Sequence, residues 1–213
     1  MPPRRRTVAA PYGRDEVMTS LMDAARDLFA KRGPASVTVR DIAARARVSH
    51  GLIYRHFGTK DALLKAVMRR EAMAFSTAAG DPKNPVASVQ RLFEENIRRE
   101  RFIRILAFAL LSRTRMEDLY SEEGALGILL TGVREESQPK AKSAPVTGID
   151  PRISVAAASA FMKGWLLFEP WVLQAVGAVG EDVNVIRKDI GRLLEQVISS
   201  GAPAPAPRSD PKT

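Results

Sequence analysis

The sequence predicts an all-α protein, and three observations carry that expectation. Apolar residues recur at three- and four-residue intervals through most of the 213 residues. Glycine and proline interrupt that spacing where helices should end, and few runs alternate as strands do. No internal repeat is present. Hydrophobic residues make up 45% of the chain, enough for a sizeable core in one or two compact domains.

Residues 1–13 carry three prolines, Arg4, Arg5 and Arg6 and no apolar period, the pattern of a flexible basic arm. A first helix is expected from Arg14 to Arg32, with Val17, Leu21, Ala24, Ala25, Leu28 and Phe29 at helical spacing and Gly33-Pro34 as its stop. A second begins after Thr38, whose hydroxyl can cap free amides while Asp41 sits three residues on in capping-box position. Val39, Ile42, Ala43 and Ala46 form its inner stripe. The chain turns at Arg47-Val48, and Ser49 is expected to cap a third helix with Ile53 and Phe57 facing inward. Residues 38–57 thus read as helix, short turn, helix.

Gly58-Thr59 breaks the third helix, and Leu63, Leu64, Val67 and Met68 carry a fourth toward Phe75. Beyond Gly80-Asp81-Pro82, the residues Val86, Val89, Leu92, Phe93 and Ile97 share a helical face, and the apolar run from Ile103 to Leu111 should be buried. Residues 117–136 give a further helix, and 137–150 a loop rich in Pro, Ser, Gly and Lys. Two long helices, roughly Pro151–Val176 and Asp182–Ser199, close the body. Residues 201–213 alternate Pro and Ala, as a disordered tail does. The expected domains are residues 14–60 and a larger helical body at 61–200.

The net charge of +9 is unevenly placed. Residues 1–70 hold 15 Lys/Arg against 6 Asp/Glu, while the rest of the chain holds 18 of each. A basic domain on a neutral body is the footprint of a part that meets polyphosphate; a generically basic, solvated surface is the plainer alternative. Cysteine is absent, which excludes disulfides, thiolate–zinc sites and cysteine nucleophiles. No run of about 18 apolar residues is present and no secretion signal, so a soluble cytoplasmic protein without membrane contact is expected.

An enzyme is not expected. The sequence has no GxxxxGK[ST] loop, no HExxH and no GxSxG. His50 and His56 are the two histidines, and on one helix they point about 120° apart, so they cannot share a metal as an i, i+4 pair would. The pairs Glu94-Glu95, Glu122-Glu123 and Glu135-Glu136 diverge as neighbours on helices must. No catalytic residue, metal or cofactor is therefore assigned.

The segment VTVRDIAARARVSHGLIYRHFGTK, from Val37 to Lys60, resembles the DNA-binding signature of the TetR family of repressors. The likeness covers about the first 70 residues, with Leu28-Phe29 and Gly33 before the segment and Leu63-Leu64 after it. In the rest only the order of helices and a stretch from Gly164-Trp165 to Pro170 are similar to some members. The resemblance implies an N-terminal three-helix helix-turn-helix domain, a C-terminal helical ligand-binding and dimerisation domain, a palindromic double-stranded operator and a small-molecule effector. It also implies a homodimer packed through the last two helices, where Ala156 to Ala160 and Gly164 permit close approach.

A helix entering the major groove needs an apolar inner face and a polar outer one. Arg40, His50, Gly51, Leu52, Tyr54 and Arg55 are the base-reading candidates: a guanidinium can bridge guanine O6 and N7, and Leu52 can touch a thymine methyl. Thr38, Arg47, Ser49, Tyr54, His56 and Lys60 are the phosphate candidates, at helix N-termini or with short donors. The chain departs from the family's pattern twice. Arg47 replaces a turn glycine, which implies either strain of about 1 kcal/mol or a different turn; Pro34 replaces an aromatic residue. The body's aromatics Phe102, Phe108, Phe161, Trp165, Phe168 and Trp171 fit two roles: the lining of an apolar ligand pocket, or ordinary core and dimer interface. An architectural DNA-binding protein without ligand control is the alternative function.

Overall fold

Helix starts and stops follow local chemistry closely. The computed structural model describes residues 13–81, 83–112, 124–137 and 149–199. The basic arm before Gly13, the tail at 201–213, the start of the expected 117–136 helix and most of the 137–150 loop lie outside these residues. Among the described residues there are helices and no strand: α1 (Arg14–Arg32), α2 (Val39–Ala46), α3 (Gly51–Phe57), α4 (Lys60–Ala79), α5 (Pro85–Arg98), α6 (Glu100–Leu111), α7 (Ala125–Ser137), α8 (Pro151–Ala175) and α9 (Val183–Ser199). A short 3-10 turn, Pro34–Ser36, joins α1 to α2.

The capping residues set the boundaries. Gly33, with φ 74°, ends α1 and returns its amide to the Phe29 carbonyl. The Cβ of any other residue there would stand 3.0 Å from the Phe108 ring, so both the backbone and the packing demand glycine. Thr38 and Asp41 form the expected capping box, the Asp41 amide donating to the Thr38 hydroxyl and the Thr38 amide to the Asp41 carboxylate. Asn84 and Asp150 cap α5 and α8 through side-chain oxygens that accept from the Ala87 and Arg152 amides, each followed by a proline suited to a first helical turn.

The chain forms two compact units, and no single cut in the sequence separates them: α4 contributes to both, and α6 belongs with the N-terminal helices. The first unit holds residues 13–71 and 100–112. Its core is built from Leu21, Ala25 and Phe29 of α1, Ile42 of α2, Ile53 of α3, Leu63 and Val67 of α4 and Ile105 of α6. Parallel α6 and α1 are joined by three contacts at helical spacing: Arg101 with Asp27, Arg104 with the Ala30 carbonyl, and Phe108 with Gly33. The expectation that Ile103 to Leu111 is buried throughout is corrected here. Ile103, Ile105 and Ala109 are buried, whereas Leu110 and Leu111 are exposed, because a helix hides one face and that run turns through two.

The second unit packs α5, α7 and α8 against one another and α9 against α5 and α8. Val89, Leu92 and Phe93, Leu129 and Val133, Val155, Ala158 and Met162, and Leu194 and Ile198 fill its interior. A buried Glu169 fastens α8 to α9: both its oxygens accept from Arg187, at 2.7 and 3.0 Å, and one also accepts from the Trp165 indole at 2.7 Å.

Candidate nucleic-acid interface

The helix-turn-helix owes its geometry to what its inner residues touch. Ile53 is fully buried and Phe57 packs against the first unit's core, which turns Gly51, Tyr54 and Arg55, at i, i+3 and i+4, outward together. Tyr54 is 54% exposed, an unfavourable place for a tyrosine that merely packs. Arg40, Arg47, Thr38, Ser49 and His50 are also exposed, and His56 is half-buried. Leu52 behaves otherwise than expected: it is half-buried and packed against the core, so only part of its side chain is presented outward.

Between α2 and α3 the backbone turns at Arg47, with φ 59° and ψ 40°. It is the one non-glycine residue with positive φ among the described residues, so of the two outcomes open to a non-glycine turn residue the strained one is realised. Its amide returns to the Ala43 and Ala44 carbonyls, closing the end of α2. Arg47→Gly is expected to stabilise the fold by about 0.5–1 kcal/mol in urea unfolding. The same change should flatten the salt dependence of DNA binding by about one unit per half-site if the guanidinium meets a phosphate.

The α3 start differs from expectation. Its cap is His50 and no side-chain cap bond forms; Ser49 instead contributes its carbonyl, which accepts from the Leu52 amide at 3.0 Å. The amides at this helix end are therefore not satisfied by a hydroxyl cap.

Lys60, at the start of α4, is half-buried, and its ammonium donates to the Pro34 carbonyl at 2.8 Å and the Val37 carbonyl at 3.0 Å. Two of its three donors thus pin the 3-10 turn that precedes α2. Lys60, a phosphate candidate in the sequence, therefore also has a structural role. Lys60→Met is expected to lower stability by about 1–2 kcal/mol in chemical unfolding, since two carbonyls lose charged donors. Arg32 reinforces the same joint, reaching the Ser36 carbonyl at 2.9 Å and the Asp41 carboxylate at 3.2 Å.

A second brace, from α1, sets α2. Burial pushes the Asp27 carboxyl up, but the hydrogen bond from Arg45, at 2.6 Å, and the charges of Arg101, Arg45 and Arg26 hold it below the usual carboxylate range. This brace was invisible to periodicity, because its members lie on three helices far apart in sequence.

The six body aromatics divide between the two units. Phe102 packs against the core of the first unit and Phe108 against Gly33 in the same unit, whereas the other four lie on α8. Phe161 and Trp165 stack with ring centres 6.1 Å apart; Phe168 and Trp171 are 58% and 70% exposed.

Comparison with known proteins gives the site its context. Residues 21–67 match the model of the family described as bacterial regulatory proteins, tetR family. The HTH-type transcriptional repressor Rv3405c of Mycobacterium tuberculosis is 36% identical over 189 residues, covering 87% of this chain and 93% of that protein. The chain belongs to the TetR family. As a TetR-family protein it is a transcriptional regulator whose N-terminal helix-turn-helix occupies the matched residues. Two solved structures share its fold. The Streptomyces coelicolor protein SCO4942 superposes with a TM-score of 0.66 at 24% identity, covering 84% of this chain and 97% of its own. The TetR family transcriptional regulator PfmR from Thermus thermophilus does so with a TM-score of 0.61 at 15% identity, covering 91% and 100%. Among the described residues no helix is long and apolar enough to cross a membrane.

Proposed function

We propose that this TetR-family protein is a homodimeric repressor that sets two α3 helices into successive major-groove half-sites of a palindromic operator, and that a small molecule bound in the second unit releases it. One observation carries this reading: α3 keeps Ile53 fully buried while Gly51, Tyr54 and Arg55 stand together in solvent. Arg40 and Arg55 act as the principal base readers, with His50, Gly51, Tyr54 and the outward part of Leu52 completing that face. Thr38, Arg47, Ser49, His56, the Tyr54 hydroxyl and the remaining Lys60 donor hold phosphates. A repressor's name on a relative matched over nearly its whole length supports the direction of control.

The dimer reading rests on α8. Ile153, Ala157, Ala160, Phe161, Gly164, Phe168 and Trp171 recur at helical spacing along it, and Ile153, Phe168 and Trp171 are more than half exposed. A Cβ at Gly164 would meet nothing within 4 Å, which leaves room for a second helix. Val185 and Leu193 of α9 are exposed as well. Apolar residues in such a row mark an interface, and a short half-site needs a second copy about 34 Å away for specificity. Packing of α8 and α9 on their twins makes a four-helix arrangement.

Selection of bound duplexes from random DNA tests the function. A split palindrome with half-sites one helical turn apart is expected; binding without sequence preference would instead favour an architectural DNA-binding protein. Effector control is tested by titration: coupling of about 1–3 kcal/mol predicts about 5- to 150-fold weaker operator binding with ligand present. A bound ligand that leaves operator affinity unchanged contradicts it.

A further inference from the structure

Among the described residues of the second unit, the surroundings of Lys163 demand explanation. It lies on α8, half-buried, and its ammonium donates to the Ser159 hydroxyl one turn back and, at 3.5 Å, to the Ser159 carbonyl. Among the described residues no carboxylate pairs with it, and burial alone lowers its pKa to about 8. An ammonium withdrawn from water with only its own helix as acceptor is costly, and such groups concentrate where a ligand uses them.

A second polar group, on α5, is also incomplete. Ser159, Met162, Lys163 and Leu166 recur at i, i+3, i+4 and i+7 and so share a face of α8, with Ser159, Met162 and Leu166 buried. Asn96 of α5 meets that face at the Met162 sulfur, 3.9 Å away. Its side chain is 2% exposed and gives one proton to the Leu92 carbonyl, yet its Oδ1 has no hydrogen-bond partner. A buried amide oxygen without a donor is rare enough in native proteins to call for a cause. Met162, the residue Asn96 touches and the sequence neighbour of Lys163, thus links a buried acceptor lacking a donor to a cation lacking an anion.

We propose that this seam between α5 and α8 is the effector site, and that it takes an amphipathic organic carboxylate. Its carboxylate pairs with Lys163 and the Ser159 hydroxyl, its apolar body lies along Met162 and Leu166, and a hydroxyl or N–H donor on it satisfies Asn96 Oδ1. The proposal rests on the ligand-controlled reading and names the ligand's chemistry. The polar groups that fix a ligand's orientation are fewer than the apolar residues that line its pocket.

The test uses the full chain and two matched probe pairs, octanoate with octanol and phenylpropanoate with phenylpropanol. Binding is followed by thermal shift and by fluorescence of Trp165 and Trp171, the two tryptophans of the chain, both on α8. At least one carboxylate is expected to bind about tenfold or more tightly than its alcohol, as a charge-assisted hydrogen bond provides. Lys163→Arg should retain that preference. Lys163→Met should abolish it while raising the unliganded melting temperature by about 2–4 °C, so loss of binding cannot be ascribed to unfolding. Equal binding of acid and alcohol, an undiminished preference in Lys163→Met, or no binding of either carboxylate at millimolar concentration overturns the site. A carboxylate that binds through Lys163 yet leaves operator affinity unchanged overturns ligand control while the site stands.

Discussion

Arg55→Ala is expected to lower operator affinity by about 2–6 kcal/mol, because a bidentate guanidinium–guanine pair contributes about 1–3 kcal/mol and a symmetric dimer loses it twice. The side chain is exposed on the face of α3 opposite the buried Ile53, so stability should change by less than about 0.5 kcal/mol. Binding titrations on cognate and random duplexes separate the roles: loss concentrated on cognate DNA, with relaxed preference at one or two base pairs, marks a base reader. Equal loss on both would make Arg55 a phosphate contact. Arg98, exposed on α5 and paired with Glu94 and Glu95, serves as a control whose removal should leave binding untouched.

The other large effect is expected from charge in the α8 stripe. Phe168→Asp together with Trp171→Asp should convert the dimer to a monomer in light scattering, since two carboxylates per protomer would face their twins across an apolar seam. Operator affinity should fall by about a hundredfold or more, as each monomer then holds a single half-site. The protomer itself should melt nearly as before, because both side chains are more than half exposed within it. A variant that remains dimeric contradicts the placement of the interface on α8; a monomer that keeps full operator affinity contradicts the need for a dimer.

The helices were legible in the sequence wherever local chemistry sets them. The α1 limits follow from Gly33-Pro34, the α2 start from the Thr38–Asp41 box, and the α8 and α9 limits fall within a residue of expectation. The turn at Arg47 could be narrowed to two outcomes from the missing glycine alone. What periodicity could not show was association between distant segments. The joining of α6 to the N-terminal helices depends on Arg101, Arg104 and Phe108 meeting residues 74 or 75 positions earlier, and no local pattern announces such a meeting.

The candidate site was legible to the same depth and no further. Inner and outer faces of α3 follow from Ile53 and Phe57 at an interval of four, apart from Leu52, whose position at the edge of the face allows partial burial. The Lys60 contacts escaped notice because its acceptors are carbonyls 23 and 26 residues upstream, and backbone acceptors carry no signature in side-chain sequence. Lys163 and Asn96 escaped for the opposite reason. Single polar residues within apolar helical stripes look like ordinary amphipathic edges until their burial and missing partners are seen.

The placement of α3 in a DNA groove has a direct test, because the chain contains no cysteine and a single introduced thiol is therefore unique. His50→Cys, at the exposed start of α3, would carry an iron–EDTA cleavage reagent on a selected duplex, with Met73→Cys, 66% exposed on α4, as the comparison. Two clusters of strand cleavage one helical turn apart from position 50, with none from position 73, are expected. Cleavage from position 73 alone, or uniform cleavage along the duplex from position 50, would contradict that placement.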